Sequence, residues 1–174
     1  MGAGTFPFGP NDRGVIVGAY QDPSNASVTH TFVYDHGTFT TLDYPGAPAT
    51  GISNLNNAGT IVGDWADASG VSHGFVYKHG TFTRIDAPGA GTGPNQGTIV
   101  QAISSNGVMA GVIQNDSGQF GWLLRGGEFS QLNDPNAAPG TSFLNDLSSN
   151  ARYAAGYYQD ANGVTHGFVA TLSP

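Results

Sequence analysis

Gly59–Gly89 reads GTIVGDWADASGVSHGFVYKHGTFTRIDAPG, and Gly14–Gly46 reads GVIVGAYQDPSNASVTHTFVYDHGTFTTLDYPG. The chain states one sentence twice, and weaker copies follow at Gly107–Pro135 and Ala151–Leu172. A marker glycine recurs at Gly18, Gly63, Gly111 and Gly156, giving spacings of 45, 48 and 45 residues. A period of this size marks a repeat architecture, in which a single unit cannot bury its apolar face alone.

Inside the second copy, short β signals alternate with turn signals. Thr50–Asn54 reads as a weak first strand, Thr60–Trp65 as a second, Ser72–Lys78 as a third and Thr81–Asp86 as a fourth. Asn56-Asn57-Ala58-Gly59, Asp67-Ala68-Ser69-Gly70 and His79-Gly80 supply the reversals, with Asn and Gly in place for positive φ. Third strands carry unbroken apolar triplets at Phe32-Val33-Tyr34, Phe75-Val76-Tyr77, Trp122-Leu123-Leu124 and Phe168-Val169-Ala170. A strand with one wet face alternates; an unbroken run is buried on both faces. Stacked sheets of four antiparallel strands meet that demand, so the pattern predicts an all-β, four-bladed β-propeller in one domain. The blades fall at about 5–46, 47–93, 94–139 and 140–174. An open solenoid is the competing arrangement. The last copy stops after its third strand. The N-terminal Gly4-Thr5-Phe6 echoes Gly37-Thr38-Phe39, so it either completes the last blade and latches the ring or serves as the first strand of blade one.

Three motifs together carry a family resemblance: Asn-x-x-Gly-x-Ile-Val-Gly at Asn56–Gly63, Asp-x-x-Gly-x-x-His-Gly-Phe at Asp67–Phe75 and again at Asp160–Phe168, and the Gly80–Gly89 ending. The chain resembles the bacterial extracellular HAF repeat family over nearly its whole length. The third copy departs, with Phe120 at the position of His73 and Trp122 at that of Phe75; the first has Thr31 for Gly74. The resemblance implies an exported or cell-surface protein and supplies no catalytic residues. The start at Met1–Gly4 then reads as a trimmed one whose export signal was removed, a cytosolic start being the other reading.

Composition narrows the function classes. The formal net charge is -7, with five Lys and Arg, and charged residues make up 10% of the chain. A protein this poor in cations has no stripe to neutralise phosphates, which argues against nucleic acid and anionic membranes as partners. With no cysteine, thiolate catalysis and Cys-ligated zinc are excluded. No apolar run reaches the length that spans a bilayer.

The candidate chemistry sits inside the repeat. His30, His73 and His166 hold equivalent positions, and the reading preferred for them is a buried imidazole that hydrogen-bonds a loop rather than a metal ligand. Asp67 and Asp160 open Asp-x-x-Gly turns; they are the weak metal candidates, with calcium the ion in question. One carboxylate per turn falls short of a calcium loop and suits an Asp that bonds its own backbone. Asp43, Asp86 and Asp134 precede the Pro-containing connections as repeat-equivalent acids, without a distinct acid–base pair. Tyr20, Trp65, Tyr157 and Tyr158 lie where second strands run into loops, where exposed rings make sugar or peptide platforms. These observations favour a non-enzymatic extracellular module that binds a glycan or protein at a loop face, with no required cofactor. The alternatives are a self-assembling surface or filament subunit, partnered by copies of itself, and a metal-dependent or carboxylate-based enzyme acting at the axial opening.

Overall fold

The computed structural model describes residues 4–25 and 27–173 and is built from strands throughout. Blade 1 comprises β1 (Thr5–Pro10), β2 (Ile16–Gln21), β3 (Thr29–Asp35) and β4 (Thr38–Thr41) in the spatial order of the chain. Blade 2 comprises β5 (Ala49–Leu55), β6 (Ile61–Ala66), β7 (Ser72–Lys78) and β8 (Thr81–Ile85). Blade 3 comprises β9 (Gly97–Ile103), β10 (Met109–Asn115), β11 (Gly118–Arg125) and β12 (Glu128–Gln131). Blade 4 has three strands, β13 (Ser142–Leu147), β14 (Tyr153–Gln159) and β15 (Thr165–Thr171). A single parallel pairing, Ser72 with Gly97, joins blades 2 and 3 into one hydrogen-bonded sheet.

The marker glycines have a local cause. Each stands on the second strand beside an irregularity in the pairing with the first strand, at Pro7/Gly9, Ile52/Asn54, Ala110/Gly111 and Leu144/Asp146. The bulge presses a carbonyl onto the glycine: a Cβ at Gly63, Gly111 or Gly156 would collide with the backbone oxygen of Gly51, Ile99 or Phe143. Only glycine lets the two backbones approach this closely.

Three apolar cores lie between successive blades. Val17 and Leu42 of blade 1 meet Ile52, Ile61 and Phe75 of blade 2. Val62 and Ala87 meet Val100 and Trp122. Ala110 and Leu123 meet Leu144, Leu147 and Ala154. Each blade therefore has a leading face, which covers the next blade, and a trailing face, which is covered by the one before. Along the second strand the two faces alternate residue by residue, with Val62 and Asp64 leading and Ile61 and Trp65 trailing.

The expected closed ring is not formed. The packing runs from blade 1 to 2, 2 to 3 and 3 to 4, and the two end faces stay open. β1 pairs with β2 inside blade 1, Thr5 facing Tyr20, so it does not latch onto β15. The Gly-Thr-Phe echo at Gly4–Phe6 was no guide, because β1 takes the place of the first strand by its register with Gly18. Val169, on the leading face of blade 4, is 71% exposed, whereas its counterpart Leu123 is 9% exposed.

Candidate functional site

The two rims of the blade series are chemically different. One rim gathers the hairpins between strands 2 and 3 with the connections between blades; the other gathers the hairpins between strands 1 and 2 and between strands 3 and 4.

On the first rim His30 and His73 bracket two loops each, and His166 reaches one. His73 is buried; its Nδ1 lies 2.9 Å from Asp86 and its Nε2 3.4 Å from Asp67. His30 does the same, Nδ1 to Asp43 at 2.6 Å and Nε2 to Asp22 at 3.2 Å. His166 reaches Asp160 at 3.1 Å. The hydrogen bond that His30 donates to Asp43 holds the imidazole above its ordinary pKa. Asp22 is pulled down to about 2, first by the Ser24 hydroxyl and then by the Ser24 backbone N–H. Asp67 and Asp160 are lowered chiefly by the backbone N–H of Val71 and Val164. Both oxygens of Asp67 are engaged: Oδ1 accepts from the N–H groups of Ser69 and Val71, and Oδ2 faces the imidazole. Asp160 repeats this with Asn162, Val164 and His166. Among the described residues no group of three or more His, Asp or Glu is gathered around a metal-sized space.

The aromatic candidates stand beside these brackets. Tyr20, Trp65 and Tyr158 lie across the strand pair from His30, His73 and His166, at ring-centroid distances of 5.3, 4.7 and 5.2 Å. Trp65 also stacks on Tyr44 at 4.3 Å, and Tyr158 is buried. Tyr157 points to the opposite face and stacks on Phe143 at 4.3 Å. The four rings belong to three blades and do not form one platform. The acid series shifts by one residue in blade 3: Asn133, not Asp134, takes the place of Asp43 and Asp86, accepting from the N–H of Gly121 as Asp43 accepts from Thr31.

One carboxylate stands apart. Asp64, on the leading face of blade 2, sits where Gly51 lacks a side chain, and burial pushes its pKa up to about 6.

The second rim is where the cations go. Arg13, Lys78, Arg125 and Arg152 border its hairpins, and Arg84 on the first rim is paired with Asp86 at 2.5 Å. Two clefts open on this rim at blade joints. The one between blades 3 and 4 has a volume of about 760 Å³, with Arg125, Arg152, Asn106 and Asn150 around a floor of Val108 and Leu172. The one between blades 1 and 2, about 410 Å³, is edged by Arg13, Asp35 and His36 over Leu55 and Tyr77. Both volumes fall in the range of small-molecule sites, roughly 300–1,000 Å³. Arg125 is fixed by donating to the backbone oxygens of Ser173 and Ala151, which leaves Arg152 as the adaptable cation of the larger cleft.

Sequence reading missed the stitching between successive first hairpins on this rim. The Asn11 amide donates to the backbone oxygen of Asn56 at 3.2 Å, and the Asn56 amide to that of Ser104 at 3.1 Å. The Ser105 N–H then donates to Ser149. Each first hairpin thus holds the next one. The signal was the Asn opening the 1–2 turn, read only as a turn former.

No protein family matches the sequence, and no curated protein matches it. Solved structures do. TolB from Acinetobacter baumannii superposes with a TM-score of 0.69 at 10% identity, over 95% of this chain and 40% of that one. A fungal lectin from Aleuria aurantia, a six-bladed β-propeller with a fucose recognition mode, superposes with a TM-score of 0.55 at 16% identity, over 95% of this chain and 56% of the lectin. A variant of that lectin in complex with Fucα1-6GlcNAc gives 0.54 over 57%. The chain spans about half the length of the structures it matches. Its fold is therefore a run of propeller blades, which superposes on part of these larger structures.

Proposed function

We propose that this run of blades is a non-enzymatic binding module on an exported protein of the HAF repeat type, and that it holds a glycan in the clefts of the cationic rim. The observation that carries the reading is the cleft between blades 3 and 4. An apolar floor of Val108 and Leu172 suits the face of a sugar ring. Arg125 and Arg152 offer fork-shaped donors, and Asn106 and Asn150 offer amides that pair with hydroxyls. On the opposite rim the His and Asp side chains are spent on one another and on turn amides, so they support the loops rather than a ligand. Fucose binding by a propeller lectin of the same fold is compatible with this reading. Tyr20, Trp65 and Tyr158 then act as supports for the brackets.

The guanidinium pair in an acidic protein selects within glycans for those bearing a carboxylate or sulfate. A glycan array followed by calorimetry on the best binder tests the proposal. Arg152→Ala is expected to weaken that binder at least about tenfold, or 1.4 kcal/mol, without changing the melting temperature. An array with no binder above background, or equal affinity in the variant, refutes it.

A further inference from the structure

The two open ends of the run are the two halves of the same joint. On the leading face of blade 4, Phe143, Ala155, Tyr157 and Val169 lie side by side, by their register with the buried leading residues of blades 1 to 3. On the trailing face of blade 1 lie Pro7, Ile16, Phe32, Tyr34 and Phe39. The five trailing residues carry no charge, and the leading face carries one carboxylate, the exposed Asp146 opposite Ala155.

Like positions can be compared directly. Ile52, Val100 and Leu144 hold the first-strand place opposite the marker glycine and are 4%, 0% and 0% exposed, whereas Pro7 in blade 1 is exposed. Phe82 and Phe129 pack into the joints behind them, whereas the matching Phe39 is 52% exposed. At the other end, Val33 and Val76 are partly covered and Leu123 is buried, whereas Val169 is open.

We propose that a second copy of this chain docks head to tail on the first, the leading face of blade 4 against the trailing face of blade 1 of the next molecule. The contact continues a series that the chain already builds three times. Whatever covers Val169 has to present an apolar trailing face like those of blades 2 and 3, with a first-strand apolar residue, a third-strand aromatic and a fourth-strand phenylalanine. The chain's own blade 1 presents Pro7 and Phe39 in the open, with Phe32 buried behind them. A single molecule does not satisfy itself this way, because its two ends do not meet. The contact is heterologous: one copy leaves an end open, and two copies that form both joints make a ring of eight blades. Eight is within the usual range of about 4–8 blades.

Sedimentation of the full chain over a concentration series tests this. The wild-type protein is expected to gain mass with concentration, in whole multiples of the monomer. Val169→Asp blocks the leading end, and Phe39→Asp blocks the trailing end. Val169 is too exposed to matter for folding; should Phe39→Asp lose its β spectrum, Pro7→Asp blocks the same face. Each blocked variant alone is expected to stay monomeric. Their equimolar mixture is expected to form one-to-one pairs and nothing larger, since one good end remains on each. A wild-type protein that stays monomeric throughout overturns the proposal. So does a blocked variant that still self-associates, which would mean a two-fold contact through a single face.

Discussion

Blades 2 and 3 are neighbours with the same register and opposite chemistry at the same place. In blade 2 an imidazole spans two carboxylates, Asp67 and Asp86, with Trp65 against the ring. In blade 3 the histidine position is Phe120, set against Ile113, and the two acids are replaced by Asn115 and Asn133. Asn115 still accepts from a turn N–H, at Ser117, as Asp67 does from Ser69, and Asn133 still accepts from Gly121. When the imidazole goes, both carboxylates go with it, while the backbone bonds stay. The bracket is therefore a hydrogen-bonded unit placed on top of a turn geometry that an amide also holds.

Burial at the joints is the part the two blades share, and changes there should be the largest and most alike. Phe75→Ala and Trp122→Ala each remove a fully buried aromatic ring. Each is expected to cost about 3–5 kcal/mol, read by denaturant unfolding. A difference between them much beyond 1 kcal/mol would mean that the bracket, rather than the packed joint, sets local stability.

His73→Phe alone should lower the melting temperature, because it takes the imidazole from both carboxylates and leaves Asp86 with Arg84 and Asp67 with its turn N–H groups. Adding Asp67→Asn and Asp86→Asn rebuilds the blade 3 arrangement and should recover more than half of the loss. A triple variant that melts below the single one would show that the neutral bracket depends on something else in blade 3.

Asp64 offers a third contrast, since Val112 holds its place in blade 3. Burial raises this acid, so the folded state holds its proton more tightly than the unfolded chain does. Stability is then lost as pH rises from the ordinary aspartate range through about 6, and the full penalty is present above that. Asp64→Asn is expected to stabilise the protein on the order of 2 kcal/mol at pH 7.5 and to have little effect at pH 4. An equal effect at both values would show that the carboxylate charge is not the cause.

The smallest effect is the pH dependence of the charged brackets. The lowered Asp22, Asp67 and Asp160 contribute stability above the ordinary carboxylate range, and it is lost as pH falls through their folded values. His30 is raised, so its share is present below the unfolded imidazole value and lost as pH rises through the folded one. Hydrogen exchange should show protection at the blade 1 hairpin 21–29 falling at both ends of the pH range, with the blade 3 hairpin 114–119 changing less. Equal behaviour of the two hairpins would remove the distinction.

The strand plan was legible because each strand announces itself locally. Ser72–Lys78 was read at its true bounds, and the other three strands of blade 2 within a residue, from apolar runs and Gly/Asn turns. The reading of a buried imidazole tied to a loop holds for His73, which shares a face with Phe75 and Tyr77, whereas His30 and His166 are tied to loop carboxylates but part-exposed. The clefts were not legible. They lie where Arg125 of one blade meets Arg152 of the next, and nothing in a 45-residue period marks which cations face each other across a joint. The Asn11–Asn56–Ser104 stitch was hidden for the same reason: an Asn that opens a turn looks alike whether its amide meets water or the next blade.

By itself, then, the sequence determined the unit: four copies of one antiparallel sheet, a glycine where a bulged carbonyl presses in, a histidine tied to its own loops, and both faces apolar. These follow from contacts within a few dozen residues. Tertiary structure alone decided how the units add up. Ile52, Val100 and Leu144 seat against the blade before, and the packing they make leaves the four blades in an open run rather than a closed ring. Closure depends on the sum of the angles at three such joints. A repeat pattern fixes that every joint is alike, but not how many joints complete a turn.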